Sequence, residues 1–143
     1  MSTKENENIV RRYLDEVFKG NIDAAGELLA DNYICYEPGE EPANRAATIA
    51  SNKAYRKAFP DMRLSNVQIT AEGDTVTVRS NFEGTHRGEF AGMPASGNHF
   101  SLPYTIKFRV ANGKIVEERD DYDPEAFMQA LGAKHPHSHE HGL

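Results

Sequence analysis

The chain has 143 residues, 38% of them hydrophobic, and a formal net charge of -6. That length suits one domain with a real core, and the acidic balance argues against nucleic acid, whose phosphates select basic faces. No stretch approaches the roughly 18 apolar residues of a membrane span, and the polar start Met1 to Asn8 has no apolar signal region.

The single Cys35 rules out an internal disulfide and fits a reducing compartment, so a cytoplasmic protein is expected. Glu5 to Lys19 reads as a helix, because Ile9, Val10, Tyr13, Leu14, Val17 and Phe18 recur at helical spacing. Gly20 closes it as a C′ glycine would. Asn21 to Leu29 reads as a second short helix, with Ala24, Ala25, Leu28 and Leu29 as its apolar face. Tyr33 to Tyr36 reads as a short strand and Glu37 to Pro42 as a loop, since Pro38, Gly39 and Pro42 break any ladder. Arg45 to Phe59 is a third helix, ended by Pro60.

Four strands follow. Met62 to Ala71 alternates through Leu64, Val67 and Ile69, with an irregularity expected at Ser65-Asn66. Thr75 to Glu83 alternates cleanly. Gly84 to Gly97, rich in Gly and Pro, is a long connection. His99 to Val110 and Lys114 to Tyr122 are joined by Asn112-Gly113, residues that tolerate the positive φ of a tight hairpin turn. Asp123-Pro124 opens a last helix as N-cap and N1. Helices first and antiparallel strands after imply an α+β fold, with a curved sheet wrapped around the helices to form a cone with a pocket. Residues 1–132 form the single domain. Residues 133–143 form a His-rich tail, expected to be disordered.

The last strand carries the chemistry. Side chains alternate along a strand, so Val116, Glu118, Asp120 and Tyr122 share one face, and Ile115, Glu117, Arg119 and Asp121 the other. Carboxylates on both faces mean that one face lines a polar pocket and the other meets solvent or a partner.

Several stretches together resemble a known family: Phe59-Pro60-Asp61-Met62, Glu72-Gly73-Asp74-Thr75-Val76, Gly84-Thr85-His86-Arg87-Gly88-Glu89-Phe90, Gly92-Met93-Pro94-Ala95-Ser96-Gly97, Phe108-Arg109-Val110, Gly113-Lys114-Ile115-Val116-Glu117 and Gln129-Ala130-Leu131-Gly132. In this order they resemble the SnoaL-like polyketide cyclases (ester cyclases) of the NTF2-like superfamily, over about Ile9 to Gly132. The resemblance implies an NTF2-like cone, a bent antiparallel sheet over N-terminal helices, and a homodimer. It implies an intramolecular aldol closure of a polyketide ester without metal or cofactor, on an apolar, oxygenated small molecule. The family's general acid/base is an Asp after Arg in the last strand, here Arg119-Asp120. The cyclases carry His where this chain has Glu118, and another where Ile106 aligns.

Asp120, Glu118 and His86 are therefore the candidate catalytic residues. A carboxylate that removes a proton next to a carbonyl needs a raised pKa, and burial of Asp120 beside Glu118 would supply it. Tyr36 and Tyr104 are candidate ligand contacts because a buried hydroxyl wants a partner. Phe18, Phe59 and Met93 are candidate walls, and Arg109 a candidate substrate contact, with an ion pair across the hairpin as its simpler role. A non-catalytic module for a lipophilic ligand, or another pocket isomerase or hydrolase, would use the same residues. The tail histidines His135, His137, His139 and His141 can capture a transition metal adventitiously, and no functional metal site is expected.

Overall fold

The computed structural model describes residues 2–132, so the tail lies outside the described residues. Helix α1 (Thr3–Lys19) starts at a capping box between Ser2 and Glu5 and ends at Gly20, whose φ of 89° is left-handed. Helix α2 (Ile22–Gly26) is short, and strand β1 (Leu29–Tyr36) begins where the sequence reading had placed the apolar face of that helix. Leu29 is claimed by the sheet, where it pairs with Ile115. A two-residue strand β2 (Ala43–Asn44) leads into helix α3 (Arg45–Ala58), capped by the Asn44 side chain. The remaining elements are β3 (Arg63–Glu72), β4 (Thr75–Thr85), β5 (His99–Ala111), β6 (Lys114–Asp121) and α4 (Pro124–Ala130).

The six strands form one bent, unclosed sheet in the order β2-β1-β6-β5-β4-β3. Every pairing is antiparallel except β1 with β6, which run parallel. The α+β cone expected from the sequence is the fold observed, with this one parallel joint. The Ser65-Asn66 irregularity is present: the β3–β4 register shifts there, and Asn66 has a φ of 52°. The 112–113 turn also has positive φ at both residues.

A second bulge was not legible. The β5–β6 register passes from Arg109↔Glu117 to Val110↔Ile115, leaving Val116 as the extra residue. The expected alternation holds for Glu118, Asp120 and Tyr122, and only Ile115, on the turn side of the bulge, changes face. Ile115, Glu118 and Asp120 are buried on the inner face, whereas strict alternation had placed Ile115 with Glu117 and Arg119. Without that bulge, Ile115 could not share the inner face with the two carboxylates.

The core lies between the concave sheet face and helices α1, α3 and α4. Val10, Tyr13 and Val17 of α1 are buried against it, with the Tyr13 ring edge-on to Phe108 at 5.9 Å. At the other end is an aromatic cluster. Phe59 is fully buried, and the rings of Tyr55, Phe82, Phe90, Phe100 and Phe127 surround it at 5.1–6.5 Å. Phe127 reaches it from α4, whose first turn is held by Asp123 accepting from the Glu125 and Ala126 amides.

Candidate active site

A cavity of about 90 Å³ opens between the inner sheet face and helices α1, α3 and α4. Its walls are mainly apolar or aromatic: Val17, Phe18, Tyr55, Met62, Phe82, Leu102, Tyr104, Tyr122 and Phe127. Its polar lining comprises Glu37, Thr48, Ser51, Asn52, Glu118 and Asp120, and Cys35 adds a thiol. Among the described residues, no Lys, Arg or His lines it.

Two carboxylates sit at its base, each supported by a tyrosine. The Tyr33 hydroxyl donates to Glu118 Oε1 at 2.6 Å, and the Tyr104 hydroxyl donates to Asp120 Oδ2 at 2.8 Å. Glu118 is 7% exposed and Asp120 9%. Strand register places them: Phe108↔Glu118 and Ile106↔Asp120 lie opposite each other across the β5–β6 pair.

Burial, then the charge and hydrogen bonding of Glu118, hold the Asp120 carboxyl well above the usual range. Asp120 Oδ1 is buried and meets no fixed donor. One carboxylate oxygen of Glu118 and one of Asp120 lie within 4.8 Å of each other. Burial and the Asp120 charge likewise push up the Tyr104 hydroxyl, which stays a donor. Tyr33 is held high by burial and by Glu118.

Glu37 is the third carboxylate, and burial followed by the Glu118 charge raises it. The sequence reading left it in a loop. Period-two alternation through Tyr33 and Cys35, both buried, would have found it on the same face. Helix α3 contributes Thr48, Ser51, Asn52 and Tyr55, with Asn52 donating to the Tyr13 hydroxyl at 3.1 Å. Burial and the neighbouring Tyr122 raise Tyr55, and Tyr122 itself is pushed up to about 12, mainly by burial.

Of the residues singled out from sequence, Asp120, Glu118, Tyr104 and Phe18 line the cavity together. The others do not. His86 is fully buried behind the aromatic cluster, 5.7 Å from the Phe59 ring, where its Nδ1 meets the Ser96 hydroxyl at 3.0 Å and accepts from the Ser96 amide. It ties down the 86–98 connection. Phe59 supports the cavity wall from behind. Met93 closes a tight turn in that connection by exchanging backbone hydrogen bonds with Phe90. Tyr36 alternates to the outer face, where the Arg119 guanidinium lies over its ring at 4.2 Å. Arg109 is also outside, 3.7 Å from Glu117 across the hairpin.

Cys35, Glu118 and Asp120 could each turn one donor atom to a common point, with those atoms within 4.8 Å of one another. The Cys35 thiol is held well above its usual range by burial and by both carboxylates. It therefore keeps its proton and is a poor ligand until that proton is displaced.

Comparison with known proteins agrees with this architecture. A sequence profile of the SnoaL-like polyketide cyclases matches residues 7–131. Aklanonic acid methyl ester cyclase DnrD of Streptomyces peucetius is 27% identical over 133 residues, covering 90% of this chain and 92% of the relative. Nogalonic acid methyl ester cyclase of Streptomyces nogalater is 32% identical over 76 residues, covering 53% and 57%. A protein of Jannaschia sp. CCS1 described as SnoaL-like superposes with a TM-score of 0.83 at 28% identity, over 93% of this chain and 95% of that one. Matched along nearly all of the described residues, in sequence and in fold, the chain belongs to the SnoaL-like polyketide cyclase family.

Proposed function

We propose that the protein is a polyketide cyclase that closes a ring by an intramolecular aldol reaction, using Asp120 and Glu118 as its proton-transfer groups. The observation that carries this reading is the buried pair of carboxylates, each accepting from a tyrosine hydroxyl, in an aromatic-walled cavity; in this reading the pair carries one proton. An aldol closure needs a base for the carbon next to one carbonyl and an acid for the oxygen of the other. The ionised member of the pair takes the carbon-bound proton. As the new carbon–carbon bond forms, the protonated member gives its proton to the acceptor oxygen. The pair begins and ends each cycle with one proton and one charge. This sequence uses only side chains as proton donors and acceptors. Tyr104, which donates to Asp120 and faces the cavity, keeps that carboxyl oriented toward the substrate.

The relatives' names point to methyl esters of aromatic polyketide acids as the first substrates to try. With aklanonic acid methyl ester, Asp120→Asn is expected to lower turnover by about 10²-fold or more while retaining binding. The wild-type rate should be bell-shaped in pH, because the pair is competent only with a single proton. Turnover of Asp120→Asn within a few-fold of wild type would overturn the assignment.

A further inference from the structure

We propose that Glu37 is a specificity determinant of this cavity: a charge filter that admits uncharged ligands and turns away the corresponding carboxylates. The inference rests on reading this cavity as the ligand site, but not on the aldol chemistry. Its first support is positional. β1 and β6 run parallel with Cys35 beside Glu118 and Tyr36 beside Arg119. Glu37 and Asp120 each follow directly on the last of these pairs, and both side chains line the same cavity. Its second support is depth. Glu118 and Asp120 are buried, whereas Glu37 lines the same cavity and is only half-buried.

The third support is the absence of a counter-charge. Among the described residues, the cavity lining contains no Lys, Arg or His, and no ion pair to Glu37 forms. Arg119, adjacent in sequence to Asp120, is on the outer face and bonded to Glu117. A ligand carboxylate would therefore meet Glu37 with no cation in the described lining to offset it. At about 6 Å and an effective dielectric near 40, Glu37 alone weakens the binding of that carboxylate about tenfold. An ester of the same body has no such penalty. A ring-closing enzyme with this filter would act on esterified acids and ignore their hydrolysis products.

The test compares one aromatic body in two charge states, methyl 2-naphthoate and 2-naphthoate, titrated calorimetrically at neutral pH. The ester is also the more apolar ligand, so wild-type preference alone decides nothing; the change on mutation does. Glu37→Gln should narrow the ester-to-carboxylate affinity ratio by about tenfold, leave the ester affinity within about twofold, and keep the circular dichroism spectrum. Asp120→Asn, which tests the chemistry, should still prefer the ester. An unchanged ratio in Glu37→Gln, or a wild-type protein that binds neither probe, would overturn the filter. Loss of cyclisation with the ratio intact would instead remove only the aldol reading.

Discussion

Replacing Asp120 by Asn should make the protein more stable at neutral pH even as it disables the proposed chemistry. In the folded chain Asp120 keeps its proton well above the ordinary value of 3.8, because it is buried and faces Glu118. In the unfolded chain it releases that proton at the ordinary value. Between those two points the folded state binds more protons than the unfolded one, so stability is greatest below the ordinary value and falls as pH rises. The slope is about 1.4 kcal/mol per pH unit while the window lasts. Each pH unit of that window is a measurable share of the 5–15 kcal/mol typical of a domain. Asparagine has no proton to lose. Its amide can donate to Glu118, and its oxygen can accept from Tyr104 in place of Oδ2. The assay is urea unfolding of both proteins at half-unit steps from pH 4 upward. The stability difference should open in favour of Asp120→Asn with rising pH, then level off once folded Asp120 ionises. Glu37, also raised, titrates in both proteins and largely cancels. Parallel curves, or a variant less stable at every pH, would mean that Asp120 is ionised in the fold and that no shared proton exists.

Two further changes test the scaffold of the site. Tyr33→Phe removes the 2.6 Å donor to the buried Glu118 and should cost about 1.5–3 kcal/mol in urea unfolding, the range for a hydrogen bond to a charged group; no measurable cost would mean that Glu118 finds another donor. Phe59→Ala empties the centre of the aromatic cluster, whose ring is 0% exposed, and should cost about 3–5 kcal/mol in thermal or urea unfolding, with a loss under about 1 kcal/mol arguing that the surrounding rings collapse into the gap.

Local signals were legible wherever they were short-range. Helical spacing marked α1, the turn chemistry of residues 112–113 marked the β5–β6 hairpin, and Asp123-Pro124 marked the start of α4. The irregularity near Asn66 could be read because the apolar alternation broke there. What escaped notice depends on distant partners. Leu28-Leu29 suits a helix face, and only pairing with Ile115 makes Leu29 a strand residue. The Val116 bulge has no sequence mark, since Ile115-Val116 fits a strand in either phase. Within the site, Asp120 and Glu118 were legible from the acidic run. Tyr36 was misplaced outright: its neighbours Tyr33 and Cys35 are buried, so alternation turns it outward. Glu37 follows from that same alternation, but only once β1 is known to continue along β6.

The parallel joint between β1 and β6 has a consequence for how the molecule is made. β6 lies between two groups of strands, with β1 and β2 on one side and β5, β4 and β3 on the other. On a ribosome the N-terminal helices and β1 emerge early, yet the strand that joins them to the sheet comes more than eighty residues later, as the pairing of Leu29 with Ile115 shows. Until then both groups expose unpaired edges that can recruit other nascent chains. Long-range closure of this kind is slow. Because the joining strand also carries Glu118 and Asp120, no intermediate lacking it can present a partial active site. Competence for the proposed chemistry and closure of the sheet arrive in one step.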